Sequence, residues 1–259
     1  MSEASTSTPS SAPNGALDDR AIIWFDIDNT LYSASTKISQ AMGDRIHQYF
    51  LDMGLEEEEA TTLHHKYYTT YGLALRGLTK HHDIDPIDFD RKCDGTLPLE
   101  ELIKPSEQLK QLFKDIDRSK ARVWALTNAY QPHARRVLRI LELEDQIEGV
   151  VFCDYAEPNF ACKPEADYYH QALRKAGISD AKKCYFVDDN RANIDAAQKL
   201  GWNSAHFCEK GLETVEGGKI KQIGMERGTA TPDNGAKIIA DLEELREIWS
   251  HLFTSSTKK

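Results

Sequence analysis

The sequence predicts an α/β protein: a Rossmann-like, doubly wound parallel sheet with a small helical cap inserted after the first strand. Three observations carry this. Short apolar, β-prone runs recur and end in polar residues, and they are continuous rather than alternating, as in strands buried on both faces. Helical patterns separate them, with Pro near their starts and Gly at their ends. One long stretch after the first run holds helical patterns and no convincing strand.

The first strand is "AIIWF", ending just before Asp26. The chain then leaves the sheet. Ile38, Met42, Ile46, Tyr49, Phe50 and Met53 follow helical spacing, and "EEEEATTLHHKYYTTYG" continues as a second helix ending near Gly72. Residues 33–105 are therefore expected to form the cap over the carboxyl ends of the strands, where ligands of such sheets bind. Strands "RVWAL" before Thr127, "GVVF" before Cys153 and "CYFV" before Asp188 follow, with weaker candidates in "SAHFC" and "AKIIA". Helices are expected in "QPHARRVLRILEL", in "PEADYYHQALRKAG" starting at Pro164, and in "NRANIDAAQKLG". Strand–helix alternation of this kind implies a parallel sheet. The expected α/β core comprises residues 20–32 and 106–253. Residues 1–19, rich in Ser, Thr and Pro, are expected to be a disordered tail, and 254–259 a C-terminal tail. Residues 209–235 read as a long polar loop with a short "KIKQI" strand.

The 259 residues suffice for one sizeable domain with a modest insertion. A balance of 40% hydrophobic and 29% charged residues is that of a soluble globular chain. The net charge of −10 argues against a nucleic-acid polymer or an anionic membrane as partner. It leaves room for a small phosphorylated substrate, which needs only a local cationic pocket. The five cysteines are odd in number and form no C-x-x-C pair, so reduced, buried thiols and a cytoplasmic (or nuclear) location are expected. No apolar run approaches a membrane span, and the N-terminus lacks the pattern of a secretory signal. Oligomeric state is not legible.

The strand ends carry the chemistry. Asp26 and Asp28 follow the first strand, Thr127 and Asn128 the second, Lys163 lies after the third, and Asp188 and Asp189 follow the fourth. Strand ends of a parallel sheet converge on one face, so these residues can share one site. Carboxylates gathered there repel one another unless a cation joins them, and hard oxygen ligands select Mg²⁺. A carboxylate can also attack phosphorus, with a lysine ammonium and hydroxyl or amide donors neutralising the transferred group. A second carboxyl two residues on is placed to protonate the leaving oxygen and then to activate water.

"DIDNTLY", "LTNA", "CKP" and "FVDDN", in this order, resemble the four motifs of the haloacid dehalogenase superfamily in its phosphatase form. The resemblance implies that Asp26 is the nucleophile and Asp28 the general acid/base. It implies Mg²⁺ bound by Asp26 and Asp188 through their side chains and by Asp28 through its carbonyl. Thr127, Asn128 and Lys163 would hold the phosphate. Asp189 would be an accessory acid, near the metal's waters or orienting the lysine. "YYTTYGLALRGL", "GTLPLEELIKP", "LTNAYQPHARRVL" and "VFCDYAEPNFACKP" further resemble the fungal pyrimidine 5'-nucleotidase group, from about Ile22 to Phe207. That group dephosphorylates UMP and CMP, while relatives act on nicotinamide-type mononucleotides or lysophosphatidate. The implied activity is a Mg²⁺-dependent 5'-nucleotidase, with a nucleoside monophosphate as its partner. Within the cap, Tyr68 or Tyr71 could stack on a base and Arg76 could meet a carbonyl or phosphate oxygen. Helix packing competes with that reading, since Tyr67, Tyr71 and Leu75 share i,i+4 spacing. Thr127 could equally cap a helix. The pairs His64–His65 and His81–His82 are not expected to bind zinc, because neighbouring residues on a helix point about 100° apart and no cysteine completes a set. A haloalkanoate dehalogenase, a phosphomutase and a non-catalytic protein on the same fold remain as rivals.

Overall fold

A computed structural model describes residues 18–224 and 235–254. The expected N-terminal tail, apart from Asp18 and Asp19, and the C-terminal tail beyond Thr254 lie outside the described residues. So does the end of the expected loop, residues 225–234.

A six-stranded, all-parallel sheet forms the centre, in the order β3-β2-β1-β4-β5-β8. Its members are β1 (Ala21–Phe25), β2 (Ala121–Leu126), β3 (Gly149–Val151), β4 (Cys184–Asp188), β5 (Asn203–Phe207) and β8 (Lys237–Ile239). Both weak strand candidates are thus strands.

The continuous apolarity of β1 has a direct cause. Ile23 and Phe25 face a layer containing Leu112 and Phe113 of α6 (Glu107–Lys114) and Val137 and Leu138 of α7 (Gln131–Ile140). Ile22 and Trp24 face the opposite layer, with Tyr168, Tyr169 and Ala172 of α8 (Ala166–Ala176) and Ile194 and Ala197 of α9 (Arg191–Lys199). A residue pointing either way therefore leaves water, worth roughly 1.5–3 kcal/mol per large side chain. Helix α8 starts at Ala166 rather than at Pro164. Glu165 takes the N-cap position, and Pro164 lies before it in the cis Lys163–Pro164 peptide.

From β1 the chain runs outward through β2 to β3, then returns past β1 to continue through β4, β5 and β8. The direction of travel reverses between β1 and β4. In such sheets the crevice outside the carboxyl ends opens at this switch point, because the connections on its two sides diverge. Asp26 follows one of these strands and Asp188 ends the other.

The segment after β1 is helical, as expected. It contains α1 (Ile38–Asp52), α2 (Glu57–Tyr71), α3 (Ala74–His81), α4 (Pro86–Lys92) and α5 (Leu99–Leu102). Acidic Glu57, Glu58 and Glu59 occupy the favourable first turn of α2, and Asp85 caps α4 by accepting from the Ile87 amide. Ile46, Tyr49, Phe50, Tyr67, Leu75, Leu78 and Phe89 form this segment's own apolar interior, which runs into the second sheet layer.

The expected loop holds more order than its composition suggests. "KIKQI" supplies β7 (Lys219–Gln222), which pairs antiparallel with a strand the sequence did not reveal, β6 (Glu213–Glu216). Gly217 and Gly218, both at positive φ, make the turn. The hairpin lies on the helical segment: a Cβ on Gly218 would come within 2.9 Å of His64 Nδ1, and one on Gly43 of α1 within 2.9 Å of Val215.

Candidate active site

At the switch point, Lys163 is 1% exposed and its ammonium is fully engaged. It donates to Asp26 Oδ1 at 2.6 Å, to Asp188 Oδ2 at 2.7 Å and to the carbonyl of Leu126 at 2.7 Å. Three acceptors match the three protons of an ammonium. Burial disfavours the charge, but Asp188 and Asp26 outweigh it, so Lys163 titrates above its usual range and stays protonated.

Asp26 receives a second hydrogen bond, from Thr30 Oγ1 to Oδ2 at 3.1 Å. Burial pushes its carboxyl upward, Lys163 opposes this, and Asp188 and Asp28 add to the rise. Asp188 is held in place by the Asn193 amide at 3.0 and 3.1 Å and by the Asn190 backbone N–H at 2.7 Å. Asp189 stands beside them. Side-chain oxygens of Asp26, Asp188 and Asp189 lie within 4.8 Å of one another. Burial, and then Asp188 and Asp26, raise the Asp189 carboxyl well above the carboxylate range. Like charges gathered on one side of a single ammonium leave an excess of negative charge, and an all-oxygen, all-carboxylate set suits Mg²⁺. The residues present therefore fit the ion that the motifs imply. Asp189 belongs to this carboxylate set. The lysine is oriented by Asp188.

Asp28 lies two residues from Asp26 but in different surroundings. Its Oδ1 accepts from Tyr32 Oη at 2.7 Å and from His133 Nε2 at 2.8 Å. Burial alone would raise this carboxyl. His133 and Tyr32 outweigh burial and hold it below its usual range. The His133 imidazole, itself penalised by burial, is raised to about 9 by Asp28 and by Asp94.

Thr127 is buried, and its hydroxyl accepts from the Ala129 N–H at 3.0 Å in the turn before α7. It is not that helix's cap, a position held by Tyr130. The Asn128 side chain is committed elsewhere: its Nδ2 donates to the Lys163 carbonyl at 2.9 Å and its Oδ1 accepts from the Lys163 N–H at 2.7 Å. With its Oδ1 and one Nδ2 proton engaged, the side chain fixes the loop bearing Lys163.

A cavity of about 200 Å³ opens in front of these groups. Asp26, Asp28, Thr127, Asn128 and Lys163 line its floor. Ile38, Met42, Ile46, Leu73 and Phe89 of the helical segment, Tyr155 of the core and Val215 of the hairpin line its apolar part. Of the three specificity candidates only Tyr68 is in the wall, and its hydroxyl accepts from Asn190 Nδ2 at 3.1 Å. Tyr71 turns away to pair with His81 at 2.7 Å. Arg76 is buried outside the cavity, bonded to Glu165 at 2.8 and 3.3 Å and lying 5.7 Å over the Phe160 ring. An arginine among apolar residues does need a partner, but here it is a protein carboxylate, not a substrate oxygen.

His133, Asp94, Tyr32, Thr30, Asn190 and Asn193 escaped the sequence reading. Thr30 and Tyr32 lie four residues after the aspartates they serve. His133 sits in a helix whose periodicity reads only as packing, and nothing local links it to Asp28.

A family model described as haloacid dehalogenase-like hydrolase matches residues 21–201. Phosphate metabolism protein 8 of Saccharomyces cerevisiae is 34% identical over 191 residues, covering 70% of this chain and 60% of that protein. The chain thus corresponds to somewhat under two thirds of that relative's length. Among solved structures, the putative HAD-hydrolase YfnB of Bacillus subtilis, bound to magnesium, aligns with a TM-score of 0.54 at 16% identity, over 88% of this chain and 98% of that one. The putative β-phosphoglucomutase of Thermotoga maritima aligns with a TM-score of 0.54 at 17% identity, over 90% and 100%. At such identities the two structures speak for the fold alone. The matched segment runs from β1 to the end of α9 and contains every strand end that feeds the site, so the chain belongs to the haloacid dehalogenase-like hydrolases.

Proposed function

We propose that this hydrolase is a Mg²⁺-dependent phosphomonoesterase acting on nucleoside 5'-monophosphates, the pyrimidine nucleotides UMP and CMP foremost. In this reading residues 33–105 are a cap on the core of residues 20–32 and 106–253. The carrying observation is the unequal treatment of the two aspartates. Asp26 faces Lys163 and the carboxylate set, while Asp28 is turned to His133 and Tyr32.

Asp26 attacks phosphorus in line, forming an aspartyl-phosphate as the bond to the ribose 5'-oxygen breaks. That oxygen takes its proton from Asp28, whose carboxyl, held low in the resting site by His133 and Tyr32, is raised and takes up a proton when the negative charge of the substrate phosphate is bound beside it. Water then attacks the same phosphorus, giving a proton to Asp28, and the bond to Asp26 breaks to release phosphate. Lys163 carries the positive charge nearest the transferred group, and the Thr127 hydroxyl and the main-chain N–H of Asn128 are placed to orient its oxygens. Held by Asp26, Asp188, Asp189 and the Asp28 carbonyl, Mg²⁺ would supply further neutralisation of the phosphoryl oxygens.

Two features support a nucleotide leaving group. The outer cavity is largely apolar, which suits a planar base better than a second sugar hydroxyl array. Tyr68 and Tyr155 bring aromatic side chains into its wall. Asp28 also counts against a dehalogenase, whose halide leaves without a proton.

Two measurements test the proposal. Asp26→Asn should lower kcat by at least about 1,000-fold with an unchanged fold; near-normal turnover would sink it. A phosphate-release screen over nucleotides, nicotinamide mononucleotide, sugar phosphates and lysophosphatidate should give the highest kcat/KM for UMP or CMP. A peak on another ester would keep the phosphatase and discard the nucleotidase. Phosphate moved between positions of a sugar without release would identify a mutase.

A further inference from the structure

The cavity floor contains a buried group to which the mechanism above assigns no task. His133 is 4% exposed and sits in the first turn of α7. Its Nε2 reaches Asp28 Oδ1 at 2.8 Å, and its Nδ1 lies 3.8 Å from Asp94 Oδ1. Asp94, also buried, comes from the helical segment between α4 and α5, whereas His133 comes from the core. Tyr32 donates to the same oxygen of Asp28 at 2.7 Å.

We infer that His133, with Asp94 as an electrostatic neighbour beyond hydrogen-bond distance, is a positioning residue that pins Asp28 Oδ1 so that Oδ2 is the oxygen exchanging protons with the leaving group and with water. The inference rests on the phosphomonoesterase reading. Two donors on one oxygen fix the plane of the carboxyl, so its other oxygen is presented in one direction. A carboxyl two bonds from the backbone would otherwise rotate, and misplacement by about 1 Å can cost about 100-fold in rate. Because Asp94 belongs to the helical segment, the orientation of the acid also depends on how that segment sits against the core.

Leaving groups of different acidity separate this role from a purely structural one. 4-Nitrophenolate departs without a proton, whereas a ribose 5'-oxygen requires one. The test follows pre-steady-state release from 4-nitrophenyl phosphate and turnover of UMP in the wild type, His133→Ala, His133→Gln and Asp94→Asn, with melting temperatures. His133→Ala should keep a 4-nitrophenol burst within about 5-fold of the wild-type rate while UMP turnover falls about 100-fold at similar KM. His133→Gln, which retains a donor, should recover about 10-fold of that loss, and Asp94→Asn should lose about 10-fold on UMP alone. Equal losses on both substrates, or a folded His133→Gln or Asp94→Asn variant with unchanged UMP turnover, would overturn the inference. A wild type that shows no burst and releases no phosphate overturns the phosphomonoesterase reading, and this inference with it.

Discussion

Lys163 shows how much one side chain can decide. Its ammonium is enclosed by two carboxylates and a carbonyl. Breaking a buried ion pair from one side typically costs about 3–5 kcal/mol, because the partner charges stay buried. Lys163→Met should therefore lower the melting temperature sharply in chelator, and Mg²⁺ should restore part of the loss by taking over the neutralisation. A variant as stable as the wild type without metal would contradict this account. His64 carries a second, independent prediction. It is buried against Phe50 and the hairpin turn, and burial pushes its imidazole down to about 4, with His47 and His65 adding to the shift. The unfolded chain, near 6.5, binds the proton more readily than the folded one between these values. Stability is therefore full above about pH 6.5 and declines as the pH falls toward 4, by on the order of 3 kcal/mol for this group. His64→Leu should flatten that part of the stability–pH curve in denaturant titrations at pH 7 and pH 5; an unchanged slope would assign the acid sensitivity elsewhere.

At the scale of elements, the site depends on how α2 ends. Gly72 closes the helix at φ 77°, and a Cβ there would sit 2.4 Å from the Lys163 carbonyl and 2.5 Å from Pro164 Cδ. The helix stop is thus also the point where the helical segment touches the loop carrying Lys163. The Asn128 side chain grips the same loop through the Lys163 backbone, and Arg76 grips it through Glu165. Gly72→Ala combines a left-handed backbone with a backbone clash. It should cost on the order of 2 kcal/mol and lower kcat by displacing Lys163, as read by thermal melting and steady-state kinetics. The sequence marked Gly72 as a boundary, but only the packing adds its second role.

For the molecule as a whole, the reversal of direction between β1 and β4 gathers charges from distant parts of the chain. Asp26, Asp188 and Asp189 would repel one another without a cation beyond Lys163. Excess chelator should silence the enzyme and lower its melting temperature, and Mg²⁺ should restore both. Mass action gives about 2.7 kcal/mol when the ion stands at 100 times its Kd. Activity and stability indifferent to chelator and Mg²⁺ would remove the ion from the account. The helical segment and the hairpin packed on it together complete the cavity wall, Tyr68 bridging to Asn190 and Val215 reaching the α1 face at Gly43. Among the described residues no helix is long and apolar enough to cross a membrane.

What the sequence determined by itself was whatever is written locally. Apolar runs such as "AIIWF" specify buried strands, Gly72 and Gly177 stop helices, and polar residues at strand ends must converge because parallel strands point one way. The fold class, the helical insertion and the gathering of Asp26, Thr127, Lys163 and Asp188 follow from those rules. What only the tertiary structure decided was the direction in which side chains of equal local appearance turn. Tyr68 enters the cavity while Tyr71 leaves it, Arg76 meets Glu165, the Asn128 amide holds a loop, and His133 meets Asp28 from a helix 105 residues away. Periodicity fixes which face of a helix is apolar, but the partner that satisfies a polar group comes from whichever element packs against it. That packing is a property of the whole chain.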